Sequence, residues 1–172
     1  MPTSMPSHLS WLGLQILMVR PKSILDIGVG FGGKGMLFRE YTDIWRGNYK
    51  KWKTRIDGIE VFEDYITPLQ LLIYDNIYIG EATKIFEKLG DYDLIYLGDI
   101  IEHFEKSEGK RFIASVLKKA KVVIIATPAK VHPQGAVNNN EHEAHKSSWT
   151  PEDFPGAESR VIFKTLVIKY VL

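Results

Sequence analysis

ILDIGVGFGGKG, residues 24–35, reads as a buried strand that runs straight into a glycine-crowded turn and then a helix. Ile24, Leu25 and Ile27 supply the apolar, β-branched run of a strand covered on both faces. Gly28, Gly30, Gly32 and Gly33 follow where the backbone must turn sharply, and glycine permits positive φ and close approach of a ligand. A helix starting near Gly33 and running through Met36, Leu37 and Phe38 toward Tyr41 points its N-terminal amides into that turn, the arrangement of a nucleotide cradle.

The spacing Gly28, Gly30, Gly33 also satisfies the dinucleotide fingerprint, which is weak on its own. Asp26 separates the readings. It stands two residues before the first glycine, where a dinucleotide turn keeps a small or apolar residue so that pyrophosphate can approach. A carboxylate there repels phosphate and can instead engage, directly or through water, the ammonium of an amino-acid moiety. The bland alternative is an Asp that merely braces the turn.

At 172 residues the chain is expected to be one domain with one ligand site, residues 1–22 adding an N-terminal helix that packs on the core. A 45% hydrophobic and 25% charged composition is that of an ordinary globular protein. The absence of cysteine excludes disulfides and thiol chemistry and suits the cytoplasm. A formal charge of +1 makes no global demand for a nucleic acid or a membrane; only a local patch can. The apolar stretch from Trp11 to Val19 is too short for a bilayer span.

Residues 1–6 carry two prolines and no pattern, so a frayed terminus is expected. Ser7 is a candidate cap for a helix on Leu9, Leu12, Ile16 and Val19, stopped by Pro21, with Trp11 and Met18 read as packing residues. His8 and His132, which have no partner pattern, are expected at the surface. Residues 42–54 form a long connection in which Arg46, Lys50, Lys51 and Lys53 alternate with Trp45, Tyr49 and Trp52. Such a loop can grip a phosphate-bearing substrate, or be a solvated cationic loop with its aromatics tucked beneath, the favoured reading.

RIDGIEV (55–61) is a second strand ending in Glu60, where a carboxylate can accept both ribose hydroxyls; an exposed strand-end Glu is the alternative. Pro68 opens a helix through Ile73, and Ile77–Ile79 makes a third strand. DLIYLG (93–98) and KVVIIAT (121–127) are buried strands flanking an amphipathic helix over 106–120. Thr150 and Pro151 signal a short helix, and residues 160–172 supply two last strands if a turn falls near Lys164 and Thr165. The alternation predicts an α/β fold, a doubly wound, mostly parallel seven-stranded sheet with helices on both faces.

In such a sheet ligands sit outside the carboxyl ends of the strands, so Asp26, Glu60, Glu81 and residues 99–103 share one rim. Asp99, Glu102 and His103 are spaced i, i+3 and i+4, which puts three O/N ligands on one face if the segment is helical. Glu141, His142, Glu143 and His145 lie in the loop after the fifth strand, which leaves the same rim.

The D-x-G-x-G of Asp26, Gly28 and Gly30 resembles motif I of the class I S-adenosylmethionine-dependent methyltransferases. DIIEHF (99–104) resembles the (D/E)-x-x-E-H segment of the ubiquinone-biosynthesis O-methyltransferases and of the small-RNA 2′-O-methyltransferases. EHEAHKSSWTPEDF (141–154) resembles the histidine-containing loop that follows their fifth strand. The resemblance implies a cofactor set of Asp26, Gly28, Gly30, Gly32, Glu60, Val61, Glu81, Ala82, Gly98 and Asp99, with Glu81 beside the adenine. It also implies a divalent cation (Mg²⁺, Mn²⁺ or Zn²⁺) on Asp99, Glu102, His103 and His145, or, without metal, His103 or His145 as general base. Metal-free chemistry is favoured, because E-H after the fourth strand shapes the pocket in many methyltransferases that hold no metal.

The implied activity is methylation of an oxygen, less readily a nitrogen, of a small-molecule acceptor, a metabolite or glycan-type compound. The alternatives are a metal-assisted RNA 2′-O-methyltransferase using the basic 45–55 loop, a non-catalytic cofactor-binding module and, more distantly, a dinucleotide oxidoreductase. No membrane partner is expected.

Overall fold

The structure is a computed structural model and describes residues 5–130 and 133–172. Strands β1 (Ser23–Ile27), β2 (Arg55–Glu60), β3 (Asn76–Ile79), β4 (Tyr92–Gly98), β5 (Ala120–Pro128), β6 (Glu158–Ile162) and β7 (Thr165–Val171) form one sheet in the order β3-β2-β1-β4-β5-β7-β6. β1 to β5 are parallel; β7 returns antiparallel to β5 and pairs with β6 at the edge. The last hairpin turns on Phe163 and Lys164, one residue earlier than expected. With no glycine available, Phe163 itself takes a left-handed φ of 56° and is 72% exposed.

Helices α1 (Leu9–Val19), α2 (Gly33–Thr42) and α3 (Pro68–Ile73) cover one face; α4 (Ala82–Phe86) and α5 (Lys106–Val116) cover the other. The alternation of strand side chains sorts the core accordingly. Ile24, Ile56, Leu94, Tyr96 and Ile124 meet Leu12 and Ile16 of α1 and Phe38 of α2. Leu25, Ile27, Ile95, Leu97 and Val123 meet Phe86 of α4 and Phe112 and Val116 of α5. Burying such side chains contributes about 2 kcal/mol apiece, so both layers are firmly held to the sheet. Among the described residues, no helix is long and apolar enough to cross a membrane.

Several local expectations are corrected by long-range contacts. Ser7 caps nothing: its Oγ lies 3.2 Å from Thr165 Oγ1, fastening a tight turn at Pro6–His8 to β7. His8 is not a surface residue but fully buried, its Nε2 at 2.9 Å from the Tyr96 hydroxyl. Burial and the charge of Lys34 lower His8 to about 4, so it stays neutral. Met18 is 71% exposed on the outer face of α1. His132 lies outside the described residues.

Arg39, fully buried at the foot of α2, organises the connection to β2. It donates to the carbonyls of Ile73 and Thr54 and pairs with Asp43 at 3.0 Å and Asp75 at 2.8 Å. Asp43 Oδ1 in turn accepts the amides of Lys53 and Thr54. The cationic loop is therefore pinned at the amino-terminal ends of the strands. Its aromatics are not tucked beneath it: Trp45 and Tyr49 are 67% and 63% exposed.

Candidate active site

β1 and β4 are neighbours, yet the chain leaves β1 toward β2 on one side and returns to β4 on the other, so a crevice opens outside their carboxyl ends. The glycine turn lies there. Gly28, Gly30 and Gly32 have φ of 89°, 51° and 81°, values that side-chain-bearing residues resist. The amides of Gly28 and Val29 both donate to the Ile59 carbonyl. A Cβ at Gly58 would fall 2.3 Å from Val29 Cγ2, so the turn approaches β2 this closely only because residue 58 is glycine.

Glu60 locks that turn to the end of β2. Its Oε2 accepts the Gly30 amide at 2.8 Å and its Oε1 the Phe62 amide at 2.9 Å. Burial pushes the carboxyl up, and these amides oppose the shift. A carboxylate oxygen has more than one acceptor site, so Glu60, which faces the cleft, can still take donors from a ligand. Gln70 clamps the other side of the turn, donating to the carbonyls of Gly30 and Tyr65.

The cleft has a volume of about 230 Å³ and runs from Gly28, Glu60 and Val61 past Gly80, Glu81 and Ala82 to Ile100, His103, Phe104, Glu108, His142 and Lys146. Of the expected cofactor residues, Gly28, Glu60, Val61, Glu81 and Ala82 line it. Glu81 precedes α4 and pairs with Lys84 at 2.8 Å, which holds its carboxyl low. Gly98 is not part of the lining; it is glycine because the Tyr96 ring lies over it, 2.4 Å from where a Cβ would stand.

Asp26 stands behind the turn and does not itself line the cleft. It is fully buried, with Oδ2 accepting the Tyr74 hydroxyl at 2.5 Å and Oδ1 without a hydrogen-bond partner among the described residues. Burial pushes it up to about 7 against the Tyr74 hydrogen bond and the charge of Lys34. Lys34, on the first turn of α2, is lowered by burial while Asp99 and Asp26 hold it up, so an ammonium sits in the field of two carboxylates beside the turn.

His103 lines the cleft, and ligand atoms of Glu102, His103 and His145 all lie within 4.8 Å of one another. Asp99 stands outside this group, against the expectation that it is a fourth ligand. The segment is not a helix that would align i, i+3 and i+4: Asp99 has a left-handed φ of 54°, and only Ile101–His103 form a single tight turn. Glu102 is buried, with Thr127 Oγ1 donating to its Oε2 at 3.0 Å and its Oε1 left without a hydrogen bond among the described residues. His103 Nδ1 is 3.1 Å from the Ala144 carbonyl, and burial lowers its pKa. The amides of Lys146 and Ser147 both donate to the Glu102 carbonyl, which brings His145 to the site.

Other contributions escape sequence reading. Tyr65 donates to Glu143 Oε1 at 3.2 Å, joining the segment after β2 to the loop after β5. Phe104, Glu108 and Lys146 enter the cleft by tertiary contact alone. Gln70 did carry a signal: Thr67-x-x-Gln70 is a capping box, and both of its hydrogen bonds form.

No protein-family model matches the chain, and no curated protein matches it in sequence. Solved structures match it in fold. The methyltransferase domain of bacterial CtHen1 superposes with a TM-score of 0.62 at 16% identity, covering 96% of this chain and 97% of that one. Magnesium protoporphyrin IX methyltransferase from Synechocystis, solved with bound SAH, superposes with a TM-score of 0.64 at 10% identity over 95% of this chain and 81% of that one. Small RNA methyltransferase HEN1 gives a TM-score of 0.66 at 15% identity, with 99% of this chain matched to 25% of that one. The seven-stranded, mostly parallel sheet with helices on both faces is the fold of the S-adenosylmethionine-dependent methyltransferases.

Proposed function

We propose that the chain binds S-adenosylmethionine and transfers its methyl group to a hydroxyl oxygen, with Glu102, His103 and His145 holding a divalent cation on the acceptor side. The observation that carries this reading is the convergence of those three side chains, one of which, His103, lines the cleft that also reaches Gly28 and Glu60.

The residues fit both groups. Glu60 lines the cleft and keeps acceptor capacity for ribose hydroxyls, and the Gly28 turn beside it, backed by the buried Asp26, lets a cofactor approach closely. Glu102 Oε1 is a buried oxygen without a hydrogen bond, beside two imidazoles. Two nitrogens and a carboxylate suit Mn²⁺ or Zn²⁺ better than Mg²⁺, which prefers an all-oxygen shell. When bound, the cation lowers the pKa of an acceptor hydroxyl, and S-adenosylmethionine supplies a methyl group on a good leaving group. The chain's own work is alignment: Glu60 fixes one end, the Ala144 carbonyl orients the His103 ring, and Ile100 and Phe104 add apolar surface to the lining.

The acceptor is then a hydroxyl-bearing small metabolite or glycan-type compound. The terminal ribose of an RNA is a second reading, favoured by Lys146 and His142 at the cleft, which would meet a phosphate. The basic loop cannot serve that site, since β2 separates it from Glu60 by roughly 20 Å. The cysteine-free chain suits the cytoplasm.

Calorimetric titration with S-adenosylhomocysteine, in EDTA and then with added Mn²⁺ or Zn²⁺, tests the proposal. Cofactor binding plus a separate metal heat that disappears in His145→Ala is the expected result. No binding of S-adenosylhomocysteine overturns the whole reading; binding with no metal heat removes the cation and leaves a metal-free methyltransferase.

A further inference from the structure

The rim opposite the cleft carries a surface that this chemistry does not use. Trp45, Tyr49 and Trp52 are 67%, 63% and 36% exposed there, interleaved with Arg46, Lys50, Lys51 and Lys53, all exposed. The adjoining carboxylates, Asp43 and Asp75, are committed to Arg39. Among the described residues, no carboxylate forms an ion pair with any of these four cations. A chain of formal charge +1 thus holds a concentrated positive surface at one end.

The apolar part of this surface extends beyond the loop. The Tyr41 ring lies 6.1 Å from that of Trp45 and packs on Gly13 of α1, whose outer face exposes Leu14 and Met18. Trp52 donates its Nε1 proton to the Leu72 carbonyl at 3.4 Å, and the Leu72 side chain is 73% exposed. The base is rigid: Arg39 sits 5.0 Å from the Trp52 ring and binds the Thr54 carbonyl. Apolar surface held outward on a fixed frame and rimmed by cations marks an interaction site.

We propose that this rim binds the headgroup layer of an anionic membrane. Tryptophan and tyrosine rings settle at a membrane interface. Each lysine or arginine near an anionic leaflet adds attraction, and the long stems let the charges remain in water while the rings enter. The exposed aliphatic side chains Leu14, Met18 and Leu72 favour lipid over a single-stranded nucleic acid, which uses aromatic platforms and cations but has no need of an aliphatic flank. In this orientation the cleft faces away from the bilayer, so the surface places the protein at a membrane without drawing its acceptor from the lipid. The inference does not depend on the function proposed for the cleft.

Flotation of the full chain with vesicles of phosphatidylcholine alone, and of equal parts phosphatidylcholine and phosphatidylglycerol, is the test. The chain should float with the anionic vesicles only, and less at high salt. Trp45→Ser combined with Lys50→Gln and Lys51→Gln should lower the partition coefficient about tenfold or more, with melting temperature and S-adenosylhomocysteine binding unchanged. Absence of flotation, equal binding to neutral vesicles, or an unchanged partition in the triple variant overturns the proposal. Capture of a single-stranded RNA oligonucleotide without flotation overturns it in favour of nucleic acid.

Discussion

His103 and His145 stand with their rings 5.0 Å apart and tilted by 62°, brought together because two consecutive amides of the later loop, Lys146 and Ser147, close on the Glu102 carbonyl. That fastening uses backbone alone, so it survives truncation of the imidazole. His145→Ala should keep the fold and the affinity for S-adenosylhomocysteine while lowering methyl transfer by ~10² or more, the scale of a lost acid–base or metal-binding group. Wild-type turnover in this variant would remove His145 from the mechanism.

Thr127 positions Glu102 from β5 through a buried hydrogen bond of 3.0 Å. Thr127→Val keeps the shape and deletes the donor, leaving both Glu102 oxygens buried without it. The expected cost is ~1–3 kcal/mol of stability, together with metal affinity weakened by ~10- to 100-fold, as for other groups that orient a ligand. Chemical denaturation and metal titration read the two effects separately. A stability loss with metal affinity intact would mean that Thr127 is structural only.

Asp26 makes stability depend on pH. Its folded-state pKa is raised from 3.8 to about 7 by burial. Below pH ~4 both states are protonated; between about 4 and 7 the unfolded chain releases its proton while the folded chain keeps it, so native stability falls as pH rises through that window. Other groups titrate too, notably Asp153, which is lowered to about 2. The difference between wild type and Asp26→Asn isolates the term: relative to the variant, the wild type should lose on the order of a few kcal/mol between pH 4 and 7. Parallel stability profiles would show that Asp26 is already ionised when buried.

On the proposed function, Lys34, on the first turn of α2 just after the glycine turn, would meet the amino-acid end of the cofactor rather than its nucleoside. Lys34→Met should weaken S-adenosylhomocysteine by about tenfold or more, the loss of one charge-assisted hydrogen bond. It should leave 5′-methylthioadenosine, which lacks the amino-acid moiety, unchanged. Equal weakening of both ligands would assign Lys34 to the shape of the turn alone.

How much of this was readable depends on how local each feature is. The strand, turn and helix over 24–42 were legible because alternating burial and glycine placement are written within a few residues, and Glu60 was legible because it ends the next strand. The i, i+3, i+4 alignment of Asp99, Glu102 and His103 presumed a helix, whereas Asp99 has a left-handed φ of 54° and only Ile101–His103 form a turn. His8 was misread because its partner, Tyr96, lies on β4. The tie between Tyr65 and Glu143 likewise joins loops far apart in sequence. The aromatics of the basic loop were expected to tuck beneath it, but Trp45 and Tyr49 stay largely exposed. Beneath Trp52 that space is taken by the buried Arg39, 5.0 Å from its ring.

Gly109, in the first half of α5, is where helix propensity and packing disagree. At an exposed helical position, glycine to alanine gains ~1 kcal/mol. Here a Cβ would lie 2.7 Å from Trp149 Cζ2 and 3.0 Å from its Cη2. Trp149 is only 2% exposed and is boxed in by Phe154 and Lys106, so it cannot swing away. Gly109→Ala should therefore lose ~1–3 kcal/mol through overpacking instead of gaining. Because Trp149 directly follows the segment that fastens to Glu102, pushing it also displaces His145, and methyl transfer should fall while cofactor binding is kept. Adding Trp149→Phe, which shortens the ring, should restore much of both losses. A stabilised Gly109→Ala with normal turnover would mean that Trp149 is free to yield, and that the histidine loop is not held from this side.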